Sequence, residues 1–157
     1  DMSAKIKGKP FFIYDKPNLK LSQVKSVARL MKNVFQAKII FVDYLQLIRN
    51  ENARLEKTSV VMESSQAMKE LARELELPIV CLAQLGRDAD ERRPTLANFQ
   101  WASQIEQDAD TAIMIWHNEE NDEVKTRLLV EKNRDGKKKD LDFKFIGDYY
   151  RFMEAKE

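Results

Sequence analysis

Two polar side chains directly follow apolar segments that are typical of β-strands. Asp43 closes the run "KIIFV", and Gln84 closes "PIVCLA". In open α/β proteins, ligands bind outside the carboxyl ends of the strands. An acid in this position is typical of a residue that orders the water shell of the magnesium ion on a nucleoside triphosphate. Asp43 is also explained as a residue that caps a turn. Asp15 follows the apolar run "PFFIY" in the same way.

The elements that position these residues follow from the spacing of apolar side chains. Apolar residues at helical spacing predict amphipathic helices over residues 21–35 and 58–76, and the second ends before Pro78. The continuous apolar run of residues 37–44 predicts a strand covered on both faces, residues 10–15 and 78–85 predict further buried strands, and the last three predicted strands are joined by "DGK" and "GD" turns. The predicted strands span residues 10–15, 37–44, 78–85, 110–117, 126–134, 138–146 and 149–154.

The order of these elements predicts an α/β fold, with a mostly parallel sheet flanked by helices and a C-terminal antiparallel β-meander. One segment, residues 86–104, has many charges and little periodicity. We interpret it as either a long loop or a set of short helical turns. Loops of this length are usually functional or mobile.

Composition limits the possible functions. The 157 residues carry 27 basic and 26 acidic side chains, a net charge of +1, so a nucleic-acid contact would need a local basic patch. The single cysteine, Cys81, lies in an apolar run and is interpreted as a buried thiol, which excludes a disulfide scaffold and fits a reducing, cytoplasmic compartment. No segment has the pattern of a signal peptide or of a membrane span.

Four motifs occur in a specific order: "DYLQL", "LAQLGR", "IEQDAD" and "EKNRDG". Together they resemble the motif set of the hexameric replicative DNA helicases of the DnaB type. The resemblance covers residues 10–154 and implies that residues 1–157 are part of a RecA-like ATPase domain, with residues 86–104 as a candidate DNA-binding or interface segment. It also implies ATP and Mg²⁺ as cofactors. The implied partners are single-stranded DNA, five further copies in a homo-hexamer, a primase and a helicase loader, with no membrane.

The resemblance assigns roles to individual residues. Asp43 would hold the nucleotide's magnesium ion, and Gln84 would sense the terminal phosphate and relay its loss. Gln46, in "DYLQL", belongs either to the site or to the structure around it. Lys132 and Arg134 match a basic pair that enters the nucleotide site of the neighbouring subunit, and strand alternation points both to the same side. Without the other motifs, this pair would be interpreted as a solvated strand end before a turn. The residues assigned to catalysis are Gln84, Lys132 and Arg134, and these three bind nucleotide together with Asp43.

The segment before "IEQDAD" departs from the family pattern. Where the family has a stretch similar to "LRESGS", this chain has "FQWASQ", so Gln100 replaces the arginine, Trp101 the acid and Ser103 the glycine. A glutamine still donates a hydrogen bond to a phosphate but releases no counterion. Arginines in the preceding loop are candidates for the missing positive charge. The predicted DNA-binding residues are Arg87, Arg92, Arg93, Gln100 and Ser103.

A glycine-rich phosphate loop is not found in this sequence. None of the four glycines precedes a Lys-Ser/Thr pair, so the predicted fold lacks the N-terminal strand and phosphate loop of the family. We therefore expect part of an ATP-dependent replicative helicase, which translocates on single-stranded DNA and unwinds duplex at the fork but is inactive as this chain alone. The alternative is a non-catalytic RecA-like binding or loading module.

Overall fold

The computed structural model describes residues 7–52, 55–86, 93–98, 102–120 and 123–155. The chain divides into two compact units, residues 1–84 and residues 85–157. Within the described ranges, no helix combines the length and the apolar character that crossing a membrane requires.

The first unit alternates helices and strands, whereas the second is mostly β-structure. The first unit contains α1 (Leu21–Asn33), β1 (Ile40–Val42), α2 (Lys57–Leu75) and β2 (Ile79–Cys81). The second unit contains α3 (Ala102–Asp108), β3 (Thr111–Glu120), β4 (Glu123–Asn133), β5 (Lys139–Ile146) and β6 (Arg151–Glu154).

Strands β1 and β2 pair in parallel, with Phe41 opposite Val80. Helix α2 makes the crossover that a parallel pair requires. It ends at Leu75. The next residue, Glu76, has a left-handed backbone (φ 50°), and Pro78, directly before β2, cannot continue a helix. The buried apolar residues of this unit come from both helices and from the segments that follow β1 and α2. They are Ala28, Leu45, Ile48, Val61, Ala67, Met68, Leu71, Leu75 and Leu77.

One face of the β1–β2 pair is bare, so the expectation that these strands are covered on both faces is wrong for this chain. Phe41 is 64% exposed and Val80 40% exposed, while their neighbours Ile40 and Val42 are partly buried. Because side chains alternate along a strand, Phe41 and Val80 lie on the face opposite Ile40 and Val42. Cys81 is partly buried, and desolvation raises the pKa of its thiol to about 11, as expected for an unreactive thiol.

The second unit contains the predicted antiparallel meander, in the order β3–β4–β5–β6, which confirms that part of the fold. Strands β3 and β4 form the longest pairing, interrupted where Ala112 faces Lys132 but Ile113 faces Val130. This register shift leaves Glu131 as an extra residue, a β-bulge that redirects nearby side chains. The buried side chains of this unit include Ile105, Ala112, Met114, Thr126 and Leu129.

Residues 10–15 do not form the predicted strand, and that prediction is wrong. Phe11 and Ile13 are 59% and 75% exposed, and none of the described strands pairs with this segment. Its one ring contact among the described residues places the centroid of Phe12 4.6 Å from that of Phe35. Apolar composition favours a strand, but a strand forms only where a partner offers backbone hydrogen bonds.

The described part of residues 86–104 contains short helical turns. Leu96–Asn98 form one turn of 3₁₀-helix, and α3 begins at Ala102. Of the two interpretations, a long loop or a set of short helical turns, the helical turns are therefore found for these residues. Helices α1 and α2 and strands β3 to β6 follow their predicted positions to within three residues at each end, whereas β1 and β2 are shorter than predicted.

Candidate functional site

Asp43 and Gln84 follow the two parallel strands. Asp43 comes directly after β1, and Gln84 comes three residues after the end of β2. Because β1 and β2 are parallel neighbours, their carboxyl ends meet at one edge of the sheet, which is where α/β folds bind ligands. Both residues are exposed, and neither side chain forms a hydrogen bond or ion pair within the described part of the chain. This edge therefore offers one carboxylate and one carboxamide to a ligand.

Gln46 contacts the segment that carries Gln84. It lies in a 3₁₀ turn, Leu45–Leu47, that follows Asp43. Its Nε2 donates to the carbonyl oxygen of Gln84 at 3.3 Å, and its Oε1 accepts from the amide of Gln84 at 3.3 Å. The sequence left open whether Gln46 belongs to the site or to its support, and these contacts place its side chain in the support.

Lys132 and Arg134 lie on the same side of the chain at the end of β4, as the alternation predicted. The ammonium group of Lys132 donates to the carbonyl oxygens of Glu106 and Gln107. The guanidinium of Arg134 donates to the carbonyl oxygen of Gln107 at 2.7 Å and to a carboxylate oxygen of Asp110 at 3.2 Å. A cavity of about 440 Å³ is lined by Glu106, Gln107, Lys132 and Arg134.

These contacts place two positive charges at the C-terminus of α3. The last carbonyl groups of a helix have no partner within the helix, and the helix dipole makes this end negative. Lys132 and Arg134 therefore stabilise α3 electrostatically while they are held by it. Arg134 remains 46% exposed, so part of its guanidinium is accessible to a further anion.

Arg93 is held by two carboxylates of the meander. Its guanidinium contacts both oxygens of Asp140 and lies 2.8 Å from Glu131, the bulge residue. The hydrogen bonds to Asp140 and Glu131 raise the pKa of Arg93, and the same contact lowers the pKa of Asp140. A phosphate would have to compete with these carboxylates for Arg93.

The other predicted DNA-binding residues are described only in part or not at all. Arg87, Arg92 and Gln100 lie outside the described residues. Ser103 lies within α3 as backbone, and its side chain is not described. Their role at a DNA interface therefore stays a prediction.

Within the described ranges, a metal site formed by protein ligands alone is not found. In that part of the chain, no three His, Cys, Asp or Glu side chains come together. Mg²⁺ bound to a nucleotide needs less, since it uses one or two carboxylates and takes its other ligands from phosphates and water. Asp43, exposed and unpaired among the described residues, fits this requirement.

The parallel strand pair with polar strand ends, its crossover helix and the antiparallel meander define a RecA-like ATPase fold. Solved structures support this class. A structure described as an ATPase domain matches with a TM-score of 0.88 and 26% identity, covering 98% of this chain and 58% of that one. A second, "The Structure Of A DnaB-Like Replicative Helicase And Its Interactions With Primase", matches with a TM-score of 0.82 and 28% identity over 92% of this chain and 37% of that one.

The chain belongs to the family described as DnaB-like helicase C terminal domain, whose sequence model matches residues 1–154. It is 40% identical over 144 residues to "Replicative DNA helicase DnaB" of Treponema pallidum (strain Nichols), covering 92% of this chain and 32% of the relative. It is 32% identical over 158 residues to the protein of the same name from Leifsonia xyli subsp. xyli (strain CTCB07), covering 96% and 35%. The chain thus spans about a third of the length of these relatives.

Two sets of contacts could not be predicted from the sequence. Gln46 and Gln84 are 38 residues apart, and Arg93 is separated by 47 residues from Asp140 and by 38 from Glu131. No local spacing pattern reports pairs at these separations. The sequence does not predict the bulge at Glu131 either, because a bulge depends on how two strands pair.

Proposed function

We propose that this chain is part of the motor domain of an ATP-dependent replicative DNA helicase. The enzyme is a ring of six subunits that translocates on single-stranded DNA in the cytoplasm, with ATP between neighbours and a primase and a helicase loader as partners. The observation that supports this proposal most directly is that Asp43 and Gln84 are both exposed at the carboxyl edge of a parallel strand pair, in a chain of this family. The names of the relatives and of the primase-associated neighbour support the proposal.

In this proposal each described site residue has one task. Asp43 holds Mg²⁺, which neutralises charge on the phosphates of ATP. Gln84 is neutral and offers both a donor and an acceptor, so it hydrogen-bonds a phosphate oxygen or a water without changing the charge of the site. Lys132 and Arg134 present positive charge to the nucleotide of the neighbouring subunit, and the planar guanidinium binds two phosphate oxygens at once.

Hydrolysis requires more than these residues. No glycine of this chain precedes a Lys-Ser/Thr pair, so the sequence contains no phosphate loop to cradle the β- and γ-phosphates. We propose that the chain by itself does not hydrolyse ATP and that activity belongs to the full-length protein.

The function is tested on the full-length protein by measuring ATP hydrolysis with and without single-stranded DNA, and unwinding of a forked duplex. We expect hydrolysis that requires Mg²⁺ and rises with DNA, together with unwinding that depends on ATP. A full-length protein that neither hydrolyses ATP nor unwinds DNA would contradict the proposal. Such a result would instead favour the non-catalytic binding or loading module.

The ion pairs of Arg93 allow its DNA-binding role to be tested. We expect Asp140→Asn to strengthen binding of single-stranded DNA, because it releases the guanidinium from its bidentate partner. One additional phosphate contact should steepen the dependence of log affinity on log salt by about 0.7. Fluorescence anisotropy with a labelled oligonucleotide at several salt concentrations measures both quantities.

Two variants serve as controls for the Asp140 experiment. Asp148→Asn makes the same change of charge at an exposed turn residue and should leave the salt dependence unchanged. The double variant Arg93→Ala/Asp140→Asn should lose the increase in affinity for single-stranded DNA that Asp140→Asn alone produces. Equal effects of Asp140→Asn and Asp148→Asn would show that Arg93 holds the loop and does not bind DNA.

A further inference from the structure

The hydrogen bonds between β1 and β2 continue beyond the ends of both strands. The amide of Leu82 donates to the carbonyl oxygen of Val42 at 3.0 Å, and the amide of Leu45 donates to the carbonyl oxygen of Leu82 at 2.9 Å. In a parallel pair, the residue two positions further presents its backbone groups to the same neighbour. That residue is Gln84, and its neighbour there is the side chain of Gln46.

The carboxamide of Gln46 takes the place of a peptide group. It accepts from the amide of Gln84 and donates to the carbonyl oxygen of Gln84, which are the two bonds that a paired strand would supply. Among the described residues, Gln46 is the partner of both backbone groups. The backbone of Gln84 is therefore fixed by a side chain, although β2 ended at Cys81.

We propose that Gln46 is a positioning residue for Gln84. This inference rests on the proposed function, in which Gln84 senses the terminal phosphate. The carboxamide of Gln84 is exposed and makes no bond within the described part of the chain, so its direction depends on the backbone that carries it. Gln46 fixes that backbone without occupying the side chain that must reach the ligand.

Glutamine is suited to this task because one planar group carries both a donor and an acceptor. The 3₁₀ turn also ties the anchor to the magnesium-binding residue, since Gln46 stands three residues after Asp43 and its neighbour Leu45 is 2% exposed. The two ends of the site are thereby linked by a short, well-packed segment.

The test is made in the full-length protein with Gln46→Met, which keeps the length of the side chain but removes both hydrogen bonds. Gln66→Met is the matched control, since Gln66 is exposed on α2 and its side-chain partner among the described residues is Glu70. We expect Gln46→Met to lower the kcat of DNA-stimulated ATP hydrolysis about tenfold with a change in KM for ATP of less than about twofold, because misplacement of a reacting group affects the transition state more than binding. The control should match the wild type.

A double-variant cycle separates positioning from a general loss of stability. If Gln46 acts through Gln84, the double variant Gln46→Met/Gln84→Ala should hydrolyse ATP no more slowly than Gln84→Ala alone. Hydrogen exchange provides a second readout. The amide of Gln84 should exchange faster in Gln46→Met than in the wild type or in Gln66→Met.

The results that overturn the inference are distinct from those that overturn the proposed function. Normal DNA-stimulated hydrolysis in Gln46→Met, fully additive effects in the double variant, or unchanged exchange at Gln84 would each refute positioning. A wild-type protein without DNA-stimulated hydrolysis would refute the proposed function and, with it, the catalytic consequence of the anchor. The exchange measurement would then still decide whether Gln46 holds Gln84.

Discussion

Arg134→Ala is expected to lower DNA-stimulated ATP hydrolysis of the full-length protein about a thousandfold, the effect typical of an arginine supplied by a neighbouring subunit. Binding of ATP should change little, because Asp43 and the phosphate-binding elements stay intact. The measurements are steady-state hydrolysis and binding of a fluorescent ATP analogue. Arg127→Ala is the matched control: this arginine lies on the same strand, bound to Asp142 at 2.9 Å.

The contacts of Arg134 with α3 require a second variant. The guanidinium bonds the carbonyl oxygen of Gln107, so loss of helix capping alone would also impair Arg134→Ala. Arg134→Lys keeps the charge at the helix end but loses the planar fork. If Arg134 only caps α3, the lysine variant should be nearly normal. If it binds phosphate, the lysine variant should remain strongly impaired.

Mixing subunits tests whether Arg134 acts on its neighbour. An Arg134→Ala subunit has an intact Asp43, and an Asp43→Asn subunit has an intact Arg134. In a mixed ring, the interface between them combines both intact residues, so hydrolysis should exceed that of either variant alone. Failure to regain hydrolysis in mixed rings of confirmed composition would contradict action between subunits.

Asp43→Asn is expected to lower kcat about a hundredfold or more, because preorganised charge at the reacting phosphates is worth several kcal/mol. The substitution keeps the size of the side chain and removes the charge that fits Mg²⁺. It should also reduce the benefit of Mg²⁺ for nucleotide binding, so affinities for an ATP analogue with and without Mg²⁺ should converge. Titration of the analogue in the full-length protein measures this difference.

The control for Asp43 is Asp148→Asn, an exposed carboxylate in the 3₁₀ turn Gly147–Tyr149. It should keep both the normal kcat and the normal effect of Mg²⁺. An Asp43→Asn protein that loses activity but retains the full effect of Mg²⁺ on binding would show that Asp43 serves the turn rather than the ion.

The sequence predicted the elements whose signals are local. Periodic apolar residues placed α1 and α2, and turn residues between strand-like segments placed β4, β5 and β6 of the meander. Prediction from the sequence failed where pairing between strands determines the structure. The segment "PFFIYD" has strand composition but no partner strand among those described, and β1 and β2 are three residues each, shorter than the apolar runs that predicted them. Helix α3 is short and acidic, so its seven residues give little periodic signal.

The candidate site was predictable in its residues but not in its connections. Asp43 and Gln84 were found because strand ends in α/β folds carry ligand-binding groups, and the parallel pairing of β1 and β2 brings those ends to one edge. The bonds from Gln46 to Gln84, and those from Lys132 and Arg134 to the end of α3, arise from tertiary packing. A single sequence contains no spacing that encodes them.

The bare face of the β1–β2 pair affects how mass measurements on the isolated chain should be interpreted. Phe41, Val80 and Leu82 are 64%, 40% and 48% exposed, and apolar surface of this kind adheres to other apolar surfaces in water. We therefore expect copies of the isolated chain to associate through this face in solution. A multimer seen by light scattering on the chain alone would report this association, so the proposed ring of six subunits has to be tested on the full-length protein.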